Sequence, residues 1–267
     1  MNPRDLLRRA GLAAADAPQP LSGGDMGRVW RVGDYVVKNH PSPPAGMFAA
    51  EKRGLEELAA RGARTPQVYW VGAEGIVLEY LPPGPADWPG LAEMLARLHS
   101  SPSEHYGGSE PTFIGSLPLE SGSDHSWPRF WREKRLLPLL TLTAPQLGPL
   151  AARVEEFINA YDWPAEGPRL IHGDLWNGNV LMSSRGPALI DPSAWNGERA
   201  VDLAMMRLFG GFAPAFWQAY QEALPMPPQV RDALEAYQLY FLLVHVHFFG
   251  SGYVPPVRRV LSRYKAL

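Results

Sequence analysis

The sequence predicts an α+β fold of two lobes: a small, antiparallel, β-rich lobe with one packed helix over residues 1–81, and a larger, mainly helical lobe over 82–267. Three observations carry this prediction. Short β-like runs are confined to the segment before residue 82. A proline-rich break, Leu81-Pro82-Pro83-Gly84-Pro85, follows them. Beyond it apolar residues recur at helical spacing rather than in alternation.

The opening stretch MNPRDLLRRAGLAAADAP has apolar positions at helical spacing and no apolar run of signal-peptide length, so it reads as an N-terminal helix. Runs at 28–32 and 35–38 flank a Gly33-Asp34 turn, and runs at 67–72 and 76–80 flank Gly75, which predicts an antiparallel sheet. Between them, 47–62 puts Phe48, Leu55 and Leu58 at helical spacing and ends on glycine, the pattern of a helix packed on that sheet. The three prolines of 81–85 lack the N–H that a central strand needs, so the chain leaves the sheet there. Helices are predicted at 91–100, 127–141, 145–161, 201–209, 213–223 and 230–249. A short hairpin interrupts them, pairing 180–182 with 187–190.

A chain of 267 residues can bury a sizeable core, and a net charge of −2 gives no electrostatic reason to expect nucleic acid. Cysteine is absent, which excludes disulfides, thiolate catalysis and cysteine-ligated metal centres, and fits a cytoplasmic location. The most apolar segment, AYQLYFLLVHVHFFG at 236–250, is shorter than a membrane span and carries two histidines; a buried helix is expected, and no membrane association. Arginine outnumbers lysine 21 to 4 and proline reaches 28 residues, a bias that a hot habitat and the base composition of the gene explain equally well.

The chemistry concentrates in LIHGDLWNGNVL at 170–181. In the predicted hairpin Met182 faces Pro187 and Asn179 faces Ile190, so Asn179 and Asp191 meet at its open end, with Asp174 upstream in the same loop. Three oxygen-bearing side chains at one mouth suit a hard cation such as Mg²⁺, with one carboxylate left to act as a base. Any one of them alone is more often a turn or cap residue. Together they mark a site, because burying two carboxylates without a cation is costly.

The spacing is also that of a kinase catalytic loop, in which an aspartate precedes a metal-binding asparagine by five residues and a second metal-binding aspartate follows a hairpin. His-Arg-Asp appears here as His172-Gly173-Asp174, and Asp-Phe-Gly as Asp191-Pro192-Ser193. That is the pattern of small-molecule kinases with a protein-kinase-like fold, among them aminoglycoside phosphotransferases and choline kinases. The small lobe supplies candidates for ATP in the matching order. Lys38 ends a strand and Glu51 lies on the next helix, a pair suited to holding the lysine on the α- and β-phosphates, although a lone strand lysine is usually a solvated charge. Gly23 and Gly24, in the cluster joining the first helix to the first strand, are candidates to cover phosphates with backbone N–H groups; a plain turn is the other reading. Glu79, Tyr80 and Leu81, at the lobe junction, are candidates to offer backbone groups to adenine; a strand running into a linker predicts the same residues.

The fuller motif HGDLWNGN, followed by GPALIDPSAWNGERAVDLAMMRLFGGF, closely resembles the fructosamine kinase family, also called ketosamine kinases. The likeness runs over nearly the whole chain, through VVKN at 36–39, MFAAE at 47–51, LARLH at 95–99, WPRFW at 127–131 and HVHFFG at 245–250. The tryptophan after HGDL and the FGGF segment separate this family from aminoglycoside kinases. The resemblance implies ATP- and Mg²⁺-dependent phosphorylation of the 3-hydroxyl of a ketoamine. A ribulosamine or erythrulosamine on lysine or another amine, free or protein-bound, is preferred, and deglycation repair is the implied role. It also implies Asp174 as the base, Asn179 and Asp191 as Mg²⁺ ligands, His172 as a brace, and Asp202 as the acceptor for the catalytic-loop backbone. The bland alternative for Asp202 is a first-turn charge favoured by the helix dipole.

Trp176, between Asp174 and Asn179, is a candidate to stack on the sugar or the amine-bearing chain, with core packing as the alternative. His245 is a second substrate candidate, weighed against a satisfied core histidine; His247, two residues on, points to another helix face, so the two share no metal. A monomer is expected. The chain departs from some eukaryotic relatives in having Asp25 rather than cysteine after Gly23-Gly24, which rules out a redox switch there, and Ser193 and Trp195-Asn196 leave substrate preference open. Three competing readings stand beside this one: an aminoglycoside- or choline-type kinase, a nucleotide-binding pseudokinase, and a metal-dependent hydrolase using His172, Asp174 and Asp191. The last leaves the Lys38–Glu51 pair unexplained.

Overall fold

The computed structural model describes residues 2–13, 15–21 and 28–266, so the glycine cluster with Gly23 and Gly24 lies outside the described residues. After a short helix α1 (Pro3–Arg9) come the strands β1 (Gln19–Pro20), β2 (Arg28–Val32) and β3 (Tyr35–Asn39), helix α2 (Met47–Ala60), and strands β4 (Val68–Gly72) and β5 (Gly75–Glu79). The strands form one antiparallel sheet in the order β1-β2-β3-β5-β4.

Alternation along the strands gives the sheet two apolar faces. Val32, Val37 and Val77 pack with Leu6 and Leu7 of α1, while Ile76 and Leu78 pack with Phe48 and Leu55 of α2. Two helices therefore flank the sheet where the sequence predicted one. The seven residues of α1 hold because Pro3 starts the helix, the Asn2 side chain accepts the Arg4 N–H, and Leu6 and Leu7 are wholly buried. Fully burying a leucine side chain is worth about 1.5–3 kcal/mol, which offsets the weakness of so short a helix.

The large lobe begins with α3 (Trp88–Ser100), capped by the Asp87 side chain, which accepts the Gly90 N–H. Short strands follow: β6 (Tyr106–Gly108), β7 (Thr112–Ile114), β8 (Leu117–Leu119) and β9 (Gly122–Asp124). The next helical stretch is α4 (Trp127–Phe130), which continues through a π-helical turn over Trp131–Leu136 into α5 (Leu137–Leu147), and is followed by α6 (Leu150–Ala160). Beyond lie β10 (Arg169–Ile171), the hairpin β11 (Val180–Ser183) and β12 (Gly186–Leu189), β13 (Trp195–Gly197), and helices α7 (Arg199–Phe209), α8 (Pro214–Ala223), α9 (Pro228–Asp232), α10 (Leu234–Phe249) and α11 (Val254–Arg263).

Here the structure corrects the helix boundaries. Pro145 was expected to open a helix but sits in the last turn of α5, and the break comes at Gly148, whose positive φ of 57° ends that helix. The wide π turn leaves Arg135 buried between the rings of Phe130 and Trp195, with its guanidinium carbon 4.7 and 4.5 Å from their centroids. Burial lowers its guanidinium to about 10. Around it Trp127, Trp131, Trp195, Tyr237 and Tyr240 form an aromatic core against which α10 is buried on nearly all sides.

The segment after β5 leaves the sheet as predicted, yet it is tied on its far side. Gly84 N–H donates to the Met182 carbonyl at 2.8 Å, Ser184 N–H to Pro82 at 2.9 Å, and Arg185 to the Glu79 carboxylate at 2.8 Å. The lobe crossing thus pairs with the β11–β12 hairpin.

Candidate active site

A cleft of about 1100 Å³ runs between the lobes, and Lys38, Glu51, Glu79, Tyr80, Leu81, Asp174, Trp176, Asn179, Asp191 and His245 all reach its walls. The small-lobe side is organised by β3 and α2. Lys38 comes off β3 and donates to Glu51 Oε1 at 2.6 Å, and both side chains are only 14% exposed. The Lys38 ammonium also contacts the Asp191 carboxylate, which is 35% exposed toward the cleft.

The large-lobe side starts where β10 ends. His172 and Gly173 turn the chain, and Asp202 on α7 accepts both their backbone N–H groups, each at 2.8 Å, and bonds His99 Nε2 at 3.2 Å. Asp202 is fully buried, so these donors stand in for the water it lacks. Gly173 has a φ of 78°, and a Cβ there would strike the Ser193 carbonyl, so the turn admits no side chain.

His172 is also fully buried, and both its nitrogens are engaged: Nε2–H donates to the Ile190 carbonyl at 2.8 Å while Nδ1 accepts the Asp174 N–H at 3.3 Å. Burial holds its imidazole below the usual range, against the pull of Asp202. The ring thereby ties the Asp174 loop to the strand entering Asp191.

Asn179 closes the loop with Nδ2, which donates to the Asp174 carbonyl at 2.7 Å and lies 3.4 Å from its carboxylate. Burial pushes the Asp174 carboxyl up to about 7; the Asn179 hydrogen bond opposes the rise and the Asp202 charge adds to it. The hairpin has the predicted register, Met182 opposite Pro187, and Ile190 N–H donates to the Asn179 carbonyl at 3.1 Å, which brings Asn179 beside the Asp191 segment. Asp191 itself has φ 54°, a left-handed backbone that an L-residue before proline rarely adopts.

Among the junction residues, Tyr80 N–H is committed to the Asp34 carbonyl at 2.9 Å and Glu79 N–H to Gln67 at 2.8 Å. That narrows the expected backbone donors for adenine: sheet pairing uses two of the three, leaving Leu81. Trp176 is 41% exposed on the cleft wall and folds its ring over Gly178. His245 donates from Nδ1 to the Phe241 carbonyl at 2.7 Å and packs against the rings of Phe209, Phe249 and Tyr253 at 4.8, 5.5 and 4.9 Å. Those three aromatics also line the cleft. The exposure of Phe209 and Phe249, 38% and 52%, becomes apparent only once α7 and α10 are placed side by side.

Among the described residues no three His, Asp or Glu side chains converge as a metal cage. The donors present are an amide and carboxylates, hard oxygen ligands of the type Mg²⁺ takes one or two at a time while phosphates and waters complete its shell. The site therefore fits that ion.

The same architecture recurs in solved proteins. A Thermobifida fusca crystal structure, described as a candidate fructosamine-3-kinase, superposes with a TM-score of 0.86 at 32% identity, covering 97% of this chain and 98% of that one. An ADP-bound aminoglycoside phosphotransferase matches in fold alone, with a TM-score of 0.62 at 15% identity over 97% and 96%. The fold is protein-kinase-like and the chain is a kinase, a phosphotransferase to an alcohol group. The fructosamine kinase family model matches residues 7–266, and a Thermus thermophilus protein named as a probable ketoamine kinase is 53% identical over 98% of this chain and 99% of its own. The chain belongs to the fructosamine kinase family.

Proposed function

We propose that the protein transfers the γ-phosphoryl group of ATP to the 3-hydroxyl of a ketoamine, a ribulosamine or erythrulosamine first and a fructosamine second. The observation that carries this reading is the single cleft shared by the Lys38–Glu51 pair, Asp174, Asn179 and Asp191. The hydroxyl oxygen forms a bond to the γ-phosphorus as the bond to the β-phosphate oxygen breaks, and Asp174 takes the hydroxyl proton. Lys38, steadied by Glu51, holds the α- and β-phosphates, with the Leu81 backbone at adenine. Asn179 and Asp191 hold Mg²⁺, which when bound neutralises charge on the β- and γ-phosphates. Asn179 Nδ2 is spent on the Asp174 carbonyl, so its Oδ1 would be the atom offered to the ion. His172, with both nitrogens occupied, braces the loop and moves no proton. Trp176 and His245 flank the amine-bearing part of the substrate.

The product chemistry supplies a role. Once the ketoamine tautomerises to its 1,2-enaminol, the phosphate on C3 leaves by β-elimination, and water hydrolyses the imine that results to free the amine; the reaction then serves deglycation, in the cytoplasm.

The decisive test incubates the protein with Mg-ATP and, in parallel, ribulosyl-lysine, fructosyl-lysine, kanamycin and ribose, reading ADP release and the phosphorylated position by NMR. ADP release with a ketoamine and phosphorus on O3 is expected; ADP release with kanamycin alone transfers the chain to the aminoglycoside class. Trp176→Ala is expected to raise KM for the ketoamine about two- to tenfold, an aromatic stack being worth roughly 0.5–1.5 kcal/mol, while KM for ATP stays put. Equal loss on both substrates removes Trp176 from the acceptor side.

Acid should inactivate. Asp174 accepts a proton only as carboxylate, and its carboxyl is raised to about 7, so kcat/KM is expected to fall as pH drops through 7. Bound Mg²⁺ favours the carboxylate, which moves the limb in kcat to lower pH. A flat profile from pH 5 to 8 contradicts the assignment.

A further inference from the structure

Gly54 sits on α2 one turn after Glu51, on the same side of the helix. A Cβ built there would lie 2.9 Å from Pro192 Cγ and 3.3 Å from Ala194 Cβ. The helix of the small lobe thus rests, through a residue with no side chain, on the ring that follows Asp191. This closeness costs helix stability, because glycine inside a helix is less favourable than alanine by roughly 0.5–1 kcal/mol. A neighbouring bond clamps α2 nearby: Arg53 donates to the Pro111 carbonyl at 2.7 Å.

Asp191 needs holding. Its left-handed backbone, directly before a proline, is a conformation the chain does not keep unaided. His172 secures the residue before it through the Ile190 carbonyl, and Ser193 N–H, bonded to the His172 carbonyl at 2.9 Å, secures the segment after Pro192. Those bonds fix the strand on the large-lobe side alone. The side facing the small lobe is met by Gly54.

We infer that Gly54 is a positioning residue: its contact with Pro192 sets the spacing between α2 and Asp191, so that Glu51 and Asp191 meet Lys38 at one point and present a preformed site to Mg-ATP. The contact joins the two lobes where the ammonium has carboxylates from both, Glu51 from α2 and Asp191 from the large lobe. A methyl at 54 has no soft neighbour to displace, since the proline ring is covalently tied to Asp191. It lifts α2 or turns Asp191, and either motion separates the carboxylates. The proposal rests on Lys38, Glu51 and Asp191 serving the nucleotide.

The test measures Mg-ATP affinity by titration calorimetry, together with melting temperature, for the wild type, Gly54→Ala, Pro192→Ala and the double variant. Gly54→Ala is expected to weaken Mg-ATP binding about five- to tenfold with no fall in melting temperature, and the double variant to bind within about twofold of Pro192→Ala, the non-additivity of residues in direct contact. Unchanged affinity in Gly54→Ala overturns the inference. So does a loss that Pro192→Ala fails to relieve, or one that comes with a lower melting temperature. Lys38→Met is run alongside: if it binds Mg-ATP like the wild type, the nucleotide assignment itself fails, an outcome separate from any result at Gly54.

Discussion

Asp174→Asn is expected to lower turnover on a ketoamine by about 10²–10⁴-fold, the contribution of a positioned base, while Mg-ATP affinity stays within about threefold of the wild type. The substitution is isosteric, and the loop's two backbone bonds do not depend on the carboxylate: Asn179 donates to the Asp174 carbonyl, and His172 Nδ1 accepts its N–H. The loss therefore reports chemistry rather than folding. Stability should move the opposite way. The Asp174 carboxyl is raised from 3.8 to about 7 by burial, so the folded state disfavours its charge, and wild-type stability falls as pH rises between those values. An amide carries no such penalty. Asp174→Asn is thus expected to melt at or above the wild-type temperature at pH 8. Near-normal turnover removes Asp174 from the base role; a lower melting point shows that its carboxylate is structural.

The second large effect is on folding. Asp202→Ala should cost about 3–5 kcal/mol, because it strips the acceptor from the His172 and Gly173 N–H groups and from His99 in a fully buried place. At about 2–4 °C per kcal/mol for a chain approaching this size, the melting temperature falls by roughly 6–20 °C. Turnover falls too, since the two released N–H groups belong to the turn that aims Asp174. Asp202→Asn keeps the shape and one acceptor and is expected to lie between. A melting temperature within about 2 °C of the wild type for the alanine variant refutes the account.

The small lobe was legible because its signals are local. Alternating residues with turns at Gly33-Asp34 and at Gly75 place β2, β3, β4 and β5 to within a residue or so. The β11–β12 register was legible for the same reason, and with it the meeting of the Asn179 and Asp191 segments. Other features depend on partners far away in sequence. The three-residue strands β6, β9, β10 and β13 form a sheet only by pairing with one another, and nothing in Tyr106-Gly107-Gly108 announces it. Glu198 is fully buried, accepting from Tyr106 at 2.6 Å and from the Glu166 and Gly167 N–H groups at 3.0 Å; read alone it is a surface charge. The π turn, the aromatic rim at Phe209, Phe249 and Tyr253, and the Gly54–Pro192 contact were invisible for that reason. Periodicity reports which face a residue takes, not what comes to meet it.

The pairing of Pro82 and Gly84 with the β11–β12 hairpin has a mechanical consequence. A bare tether lets one body swivel freely on another; a crossing bridged to a two-stranded hairpin restricts that swivel. The crossing is thereby strapped to the hairpin by bonds on both sides of Pro83. That hairpin begins after Asn179 and ends before Asp191, so the lobe crossing is bonded to the very element whose open end holds the two residues together.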